Sequence, residues 1–292
     1  MSLLSYHITP VQEIHDAVLK QAGIRLLIKR EDLNHPYVSG NKWWKLKFNL
    51  ETARKEKKDI LTFGGAFSNH IYATAAAAKE IGLQSIGIIR GEETLPLNET
   101  LQFASEMGMR LKYISRHAYR DKTDPLYVEQ LKFVFGDFYT IPEGGSNELA
   151  VQGMEQFAKE LNSDADYICC PVGTGGTLAG IIRGLDGTQK IIGFSALKGG
   201  AFLNEAVRIL LGKSQGNWEI NTDYHFGGYA KTTTSLDLFI KRFMEVHQVP
   251  LEFIYTGKMM SGIFDLAAKG FFTRGSTVLA IHTGGIRPRK SA

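Results

Sequence analysis

Short, mostly apolar runs alternate with helix-like segments along almost the whole chain, and no other feature constrains the fold as strongly. The runs at residues 59–63, 84–90, 167–172 and 277–282 are examples. Strands that are apolar on both faces are typical of parallel sheets covered by helices on each side. The sequence therefore predicts an α/β protein with largely parallel sheets.

Glycine-rich loops follow several of the predicted strands, at residues 64–70, 144–146, 173–177 and 282–285. In open α/β sheets, ligands bind at the carboxyl ends of the strands. We therefore expect these loops to converge on one cleft between two domains. The strand–helix pattern restarts near residues 145–150, which favours a domain boundary there, although no flexible linker marks it.

Composition argues against several classes of function. The net charge is +4 and the basic residues are spread along the chain, which disfavours nucleic-acid binding. No apolar run approaches ~20 residues and no signal-peptide segment is recognisable, so we expect a cytoplasmic protein that does not enter a membrane. The two cysteines, Cys169 and Cys170, are neighbours in an apolar run, which predicts a buried strand, no disulfide and no metal site.

The loop formed by Gly173, Thr174, Gly175, Gly176 and Thr177 is suited to binding a phosphate group. Glycines let the backbone approach closely, and the start of the following helix offers unpaired N–H groups and partial positive charge. The loop lacks the Lys-Ser/Thr ending of a nucleotide P-loop and the glycine spacing of a dinucleotide site. An ordinary strand-to-helix turn is the alternative interpretation.

Lys42 follows Gly-Asn and precedes Trp-Trp, at the start of a predicted apolar helix. A lysine in such a place is expected to be desolvated, which favours its neutral, nucleophilic form. A neutral lysine forms a Schiff base with an aldehyde. Pyridoxal 5'-phosphate (PLP) carries both an aldehyde and a phosphate, so the sequence predicts PLP as the cofactor. Lys45 and Lys47 compete for this role, and Lys45 is also consistent with a surface charge.

Ser68, Asn69 and His70 stand at another predicted strand-to-helix turn. The Ser68 hydroxyl can bind a substrate carboxylate or relay a proton, Asn69 can bond a phenolic oxygen, and His70 can act as a general base. Ser-Asn is also a good helix N-cap, so a structural role is equally consistent.

Tyr255 and Thr256 follow a predicted strand at residues 251–254. The tyrosine can stack on an aromatic ring, and the threonine hydroxyl can meet a ring nitrogen. An ordinary turn after a strand is the alternative.

Together these motifs resemble the 1-aminocyclopropane-1-carboxylate (ACC) deaminase / D-cysteine desulfhydrase family of PLP enzymes, which has the tryptophan synthase β-like fold (fold type II). The resemblance implies two three-layer αβα domains with PLP in the cleft between them, and a homodimer. Residues 1–42 and 150–292 would form the larger cofactor-binding domain, and residues 43–149 the smaller substrate-side domain. The matching strings occur in the family's order at residues 29–33, 40–42, 64–65, 68–70, 141–146, 173–177, 255–258 and 282–285.

The resemblance also implies roles for individual residues. Lys42 would hold the PLP aldehyde, Asn69 its 3'-oxygen, and Tyr255 its ring. The catalytic residues would be Lys42, Ser68, Tyr229 and Tyr255. The cofactor would contact Lys42, Asn69, Gly173, Thr174, Gly175, Gly176, Thr177, Tyr255 and Thr256, and the substrate would contact Ser68, Asn69 and His70.

Thr256 distinguishes the possible reactions. ACC deaminases have a glutamate here that keeps the pyridine nitrogen protonated, whereas a neutral threonine supports a weaker electron sink. Loss of a β-thiolate needs less carbanion stabilisation than cyclopropane opening. We therefore expect α,β-elimination of D-cysteine or a similar amino acid to pyruvate, ammonia and sulfide, with ACC deamination and non-catalytic PLP binding as alternatives.

Two departures from the family pattern concern the substrate. Phe67 replaces the usual glutamine before Ser68, and Trp43 directly follows Lys42. Both are expected near the substrate, which predicts a more apolar pocket. A further departure is Glu252-Phe253, where the family has Asp-Pro.

Overall fold

The computed structural model describes residues 3–161, 163–185, 187–213 and 216–286, over which strands and helices alternate. None of the described helices is long and apolar enough to cross a membrane. The strands are β1 (Val11–Ile14), β2 (Arg25–Lys29), β3 (Asp59–Gly65), β4 (Ser85–Arg90), β5 (Met109–Ile114), β6 (Phe138–Ile141), β7 (Tyr167–Val172), β8 (Lys190–Ser195), β9 (Trp218–Asn221) and β10 (Thr277–Ile281). The α-helices are α1 (Ala17–Ala22), α2 (Asn41–Glu56), α3 (Asn69–Glu80), α4 (Glu99–Glu106), α5 (Pro125–Phe135), α6 (Glu148–Glu160), α7 (Gly176–Gly184), α8 (Leu203–Leu211), α9 (Thr234–His247) and α10 (Thr256–Ala268).

The strands form two sheets. The larger has six strands in the order β1-β2-β10-β7-β8-β9, and the smaller has four in the order β5-β4-β3-β6. All neighbouring strands are parallel except β1 and β2, which are antiparallel. The predicted α/β class with largely parallel sheets is confirmed.

The sequence pattern did not predict the edge strands β1 and β9 or the helices α1 and α8. Both edge strands have four residues and are only partly buried, so they lack the apolar run that marks a central strand. The strand predicted at residues 251–254 is wrong, because this segment turns. The Glu252 carboxylate accepts hydrogen bonds from the backbone N–H groups of Ile254 and Tyr255, at 2.7 and 2.9 Å, which stabilises the turn.

Helix α2 lies in the middle of the main core and packs on both α6 and α3. Its contact with α6 is close because Gly153 lacks a side chain: an ideal Cβ there would lie 1.9 Å from the Trp44 carbonyl oxygen. The Trp44 ring packs on Phe157, with ring centres 5.5 Å apart. This packing fixes the start of α2, where Lys42 lies.

Candidate active site

A cleft of about 440 Å³ opens where the carboxyl ends of the two sheets face each other, and its size is typical of a small-molecule site. All the predicted site residues line it except Gly176 and Thr256, which are buried. Its small-sheet wall includes Gly65, Ser68, Asn69, His70, Arg90 and Glu143. Its large-sheet wall includes Gly173, Thr174, Gly175, Thr177, Tyr229 and Tyr255.

Lys42 enters the cleft from the first turn of α2. The preceding Gly40 has φ +68°, and an ideal Cβ there would lie 1.9 Å from the Thr283 carbonyl oxygen, so glycine is required where α2 begins beside the loop after β10. Desolvation lowers the pKa of Lys42 to about 8, against the opposing charge of Glu252. A large share of the amine is therefore neutral and nucleophilic at mildly alkaline pH.

The loop at residues 173–177 forms an anion cradle. Helix α7 begins at Gly176, and its N-cap residue Gly175 has φ +89° and provides no side-chain cap. The first N–H groups of the helix are therefore available to an anion. An ideal Cβ on Gly176 would lie 3.0 Å from Ser146 Oγ and 3.2 Å from Lys45 Nζ, so glycine keeps these polar groups close to the helix start.

Lys45 is a second site lysine, and its sequence context alone did not distinguish it from a surface charge. Its side chain is buried rather than on the surface, and its amine donates to the Gly144 carbonyl and to Ser146 Oγ. Burial and the charge of Lys42 hold the pKa of Lys45 well below its usual range. Its spacing from Lys42 could have indicated a role in the site, because residues three apart share one face of a helix.

Asn41 joins the lysine to the cradle. Lys42 Nζ donates to Asn41 Oδ1 at 3.0 Å, and Asn41 Nδ2 donates to Thr177 Oγ1 at 2.7 Å. An amine that reacts with an aldehyde and a cradle that binds a phosphate are thus linked by one side chain. The residues present fit PLP.

Ser68 and Asn69 lie together where α3 begins. Ser68 is the N-cap residue, and its Oγ accepts hydrogen bonds from the N–H groups of His70 and Ile71 at 3.2 and 3.3 Å. Asn69 Nδ2 would lie 2.6 Å from an ideal Cβ on Gly285, so the amide packs directly on the loop after β10. Ser68 therefore has a structural role while its hydroxyl also reaches the cleft.

The hydrogen bonds around His70 determine which of its ring nitrogens carries the proton. Thr62 Oγ1 donates a hydrogen bond to the Ile141 carbonyl at 2.7 Å. Thr62 Oγ1 must therefore accept the hydrogen bond of 2.8 Å from His70, and His70 Nε2 carries the proton. His70 Nδ1 then carries the lone pair, and it is buried with no hydrogen-bond partner among the described residues. Burial and the charges of Lys42 and Lys45 hold the pKa of His70 well below its usual range.

Tyr229 and Tyr255 meet edge to face on the large-sheet wall, with ring centres 6.1 Å apart. The Tyr255 hydroxyl would lie 2.9 Å from an ideal Cβ on Gly173, so its ring packs on the anion cradle. Burial raises the pKa of Tyr229 to about 12 and that of Tyr255 well above its usual range, so both phenols stay protonated. Lys258 Nζ donates to the Gly228 carbonyl at 2.7 Å and so holds the loop that carries Tyr229.

Thr256 is fully buried behind Tyr255. Its hydroxyl accepts a hydrogen bond from the Glu252 N–H at 3.1 Å and donates to Glu252 Oε1 at 3.1 Å. The same carboxylate accepts the N–H groups of residues 254–256. Glu252 is therefore a carboxylate bound directly to the threonine that the sequence analysis treated as a neutral partner.

The expectation that Trp43 and Phe67 make the pocket apolar is wrong. The Trp43 indole is buried away from the cleft and donates to the Ser5 carbonyl at 2.7 Å. Phe67 is 48% exposed, and neither residue is among those that line the described cleft. The small-sheet wall instead carries the charged side chains of Arg90 and Glu143.

Over the part of the chain that the structure describes, no group of three or more His, Cys, Asp or Glu side chains is placed to hold a metal ion. Cys169 and Cys170 are free and buried, as predicted for a central strand, and burial raises the pKa of both thiols.

Two largely parallel sheets with a desolvated lysine and an anion cradle at their junction define a fold type II enzyme that uses PLP. The profile of the family described as "Pyridoxal-phosphate dependent enzyme" matches residues 3–284. The chain belongs to this family, which confirms the predicted cofactor.

Known proteins place the chain more closely. A crystal structure described as an ACC deaminase homologue aligns with a TM-score of 0.82 and 30% identity, over 96% of this chain and 90% of the other. The mitochondrial bifunctional D-cysteine desulfhydrase/ACC deaminase of Arabidopsis thaliana is 31% identical over 90% of this chain and 73% of that protein. The D-cysteine desulfhydrase of Salmonella newport (strain SL254) is 27% identical over 90% of this chain and 87% of that protein. The family resemblance found in the sequence is confirmed.

Proposed function

We propose that this chain is a PLP-dependent lyase that acts on a small amino acid, with α,β-elimination of D-cysteine or a similar β-substituted amino acid as its reaction. The observation that carries the proposal is the link between Lys42 and the anion cradle through Asn41. The products would be pyruvate, ammonia and, from D-cysteine, sulfide. The threonine at position 256 supports elimination over ring opening.

On the cofactor side, Lys42 would bind the PLP aldehyde, and residues 173–177 with Lys45 would bind the phosphate. Asn69 would bond the 3'-oxygen, and Tyr255 would pack on the ring. Bound PLP supplies an electron sink for bonds broken at the substrate α-carbon. Thr256 would be the partner of the ring nitrogen.

On the substrate side, Ser68 and Asn69 would bind the α-carboxylate. The Lys42 amine, whose pKa desolvation lowers to about 8, would accept the α-proton at Nζ in its neutral form. The phenol of Tyr229 keeps its proton because its pKa is raised, so it would act as a hydrogen-bond donor. His70 Nδ1 would accept a hydrogen bond from a ligand N–H or O–H group.

The test is a turnover assay of purified, PLP-loaded protein with D-cysteine, L-cysteine and ACC in parallel. Sulfide and pyruvate from D-cysteine would support the proposed reaction. Full PLP loading without turnover of any of the three would overturn it and favour a non-catalytic PLP-binding protein.

ACC deamination is the second candidate, and one observation favours it. Glu252 presents a carboxylate to the Thr256 hydroxyl at 3.1 Å, which returns negative charge to the place where ACC deaminases have a glutamate. The same assay separates the two reactions, because ACC would yield 2-oxobutyrate and ammonia.

We also propose the division into residues 1–42 with 150–292 and residues 43–149. It is supported by the described strands: the larger sheet draws on residues 11–29 and 167–281, and the smaller on residues 59–141. The homodimer is proposed from the family resemblance, and light scattering on the purified protein tests it. A cytoplasmic location is supported by the two free cysteines, which suit a reducing compartment.

A further inference from the structure

Arg90 is the last residue of β4 and faces the cleft from the small-sheet wall, in register with Gly65 of β3. Its guanidinium carbon lies 5.6 Å from the centre of the Tyr119 ring. Its Nη2 would lie 3.6 Å from an ideal Cβ on Gly65. Stacking on the ring orients the planar guanidinium but uses none of its N–H donors. No hydrogen bond or ion pair joins the Arg90 side chain to any other described residue.

None of the carboxylates in the described part of the chain forms an ion pair with Arg90. Its charged lining residues are Lys42, Lys45, Arg90 and Glu143. The proposed function uses Lys42 for the aldehyde and Lys45 for the phosphate. The Glu143 carboxylate is paired with Lys122, whose Nζ lies 3.5 Å from Glu143 Oε2. Arg90 is therefore an exposed cation at the edge of the cleft that forms no ion pair with a described residue and is not assigned to the cofactor.

The position of Arg90 points to the substrate rather than to PLP. The anion cradle belongs to the large-sheet wall, whereas Arg90 belongs to the same wall as Ser68 and Asn69. The charges of Arg90 and Glu143 both reach Tyr229, where burial and Glu143 raise the pKa of the phenol and Arg90 lowers it. The guanidinium thus lies among the groups proposed to surround the substrate.

We propose that Arg90 determines specificity by binding an anionic group on the substrate side chain, so that the substrate class is an α-amino acid with a side-chain carboxylate or similar oxyanion. The proposal rests on the proposed function. A guanidinium presents a planar fork of donors that matches a carboxylate and forms charge-assisted hydrogen bonds. A small neutral substrate such as D-cysteine would leave this fork unused.

The experiment is isothermal titration calorimetry of the PLP-loaded protein with matched pairs of amino acids. Aspartate is compared with asparagine and glutamate with glutamine, in both enantiomers, because each pair differs in charge and hardly in shape. Cysteate tests a sulfonate in place of the carboxylate. The proteins are wild type, Arg90→Gln, Arg90→Lys and Arg110→Gln. Arg110 is a matched control, because it lies on the neighbouring strand β5 and stacks on Phe135 at 5.0 Å outside the described cleft.

We expect at least one acid to bind wild type about tenfold more tightly than its amide, the low end for a charge-assisted hydrogen bond because Arg90 is exposed. Arg90→Gln should abolish that preference, Arg90→Lys should keep part of it, and Arg110→Gln should keep it fully. The proposal is overturned if no acid is preferred or bound, or if Arg90→Gln retains the preference. Equal weakening of acid and amide in Arg90→Gln would also overturn it, since Arg90 would then bind the α-carboxylate.

Binding and turnover are scored separately. A protein that prefers the acids but turns over no amino acid would retain the Arg90 proposal and lose the proposed lyase activity. A protein that eliminates D-cysteine but shows no preference for acids would retain the proposed lyase activity and lose the Arg90 proposal.

Discussion

The two walls of the cleft differ in how their polar groups are used. On the large-sheet wall, the Thr177 hydroxyl accepts a hydrogen bond from Asn41, and the hydroxyls of Thr174 and Ser146 are hydrogen-bonded to each other. The Tyr255 ring packs on the cradle. On the small-sheet wall, His70 Nδ1 has no hydrogen-bond partner and the Arg90 guanidinium no ion pair among the described residues. The side chains of the wall proposed to hold the cofactor are bonded to one another, whereas side chains of the wall proposed to meet the substrate keep donors and acceptors open.

The largest effect is expected for a substitution of Lys42, which belongs to the cofactor side of the cleft. Lys42→Ala should abolish the visible absorbance band of bound PLP and lower turnover by more than about 100-fold, because both attachment and proton transfer are assigned to this amine. Absorbance spectra and turnover of the purified variants check this. Lys47→Ala is the control, because Lys47 bonds Gln156 and does not line the described cleft. A normal, borohydride-reducible band in Lys42→Ala would contradict the assignment.

A second prediction separates the catalytic role of Ser68, on the small-sheet wall, from its role as a helix cap. Ser68→Ala should retain PLP, lose at least about tenfold in turnover, and lose about 1 kcal/mol in the free energy of unfolding, because Oγ caps α3. Asp124→Ala removes the matching cap of α5, does not touch a residue that lines the described cleft, and should cost similar stability without affecting turnover. Urea denaturation and turnover assays measure both. Equal turnover in the two variants would leave Ser68 with a structural role alone.

A third prediction concerns the Glu252 carboxylate and its effect on the pKa of Lys42. The rate of PLP uptake by the cofactor-free protein should rise as the pH increases through about 8, because only unprotonated Lys42 reacts. Glu252 raises the pKa of Lys42, so Glu252→Gln should move the midpoint to lower pH and speed uptake at pH 7. Glu252→Asp keeps the charge and should leave the midpoint nearer to that of wild type. Stopped-flow absorbance at several pH values measures the midpoint, and an unchanged or higher midpoint in Glu252→Gln would refute this coupling.

The smallest effect is expected at Phe67, which precedes Ser68 in the sequence but does not line the described cleft. Phe67→Gln restores the residue usual in the family. Because Phe67 is largely exposed, the change should alter the free energy of unfolding by less than about 0.5 kcal/mol and leave the order of substrate preference unchanged. A competition assay with D-cysteine and ACC checks this. A reversed preference would mean that Phe67 reaches the substrate after all.

The sequence could predict what depends on local chemistry. Glycine-rich loops at the ends of apolar strands gave the α/β class and the cleft, and the string around Lys42 indicated a lysine that starts a helix. These features follow from backbone conformation and from the order of elements along the chain. The short edge strands β1 and β9 carried too little apolar pattern to be predicted.

The remaining features of the site depend on contacts between distant segments. Trp43 is next to Lys42 in sequence, but its indole turns toward Ser5, because successive side chains of a helix point in different directions. Glu252 lies in a segment predicted as a strand, yet its carboxylate caps the turn before α10. Arg90 ends a strand as an ordinary surface arginine would, and only the approach of the loop after β6 and of Tyr229 makes it part of the cleft.

The Asn41 bridge has a consequence for the choice among vitamers of the same cofactor. Its two amide atoms hold Lys42 Nζ and Thr177 Oγ1 at 3.0 and 2.7 Å, so they set the separation between the two points that grip the ligand. Pyridoxal engages the lysine but leaves the cradle without its anion, and pyridoxamine phosphate engages the cradle but offers the lysine no aldehyde. We therefore expect the protein to prefer, among the B6 vitamers, the one that carries both an aldehyde and a phosphate.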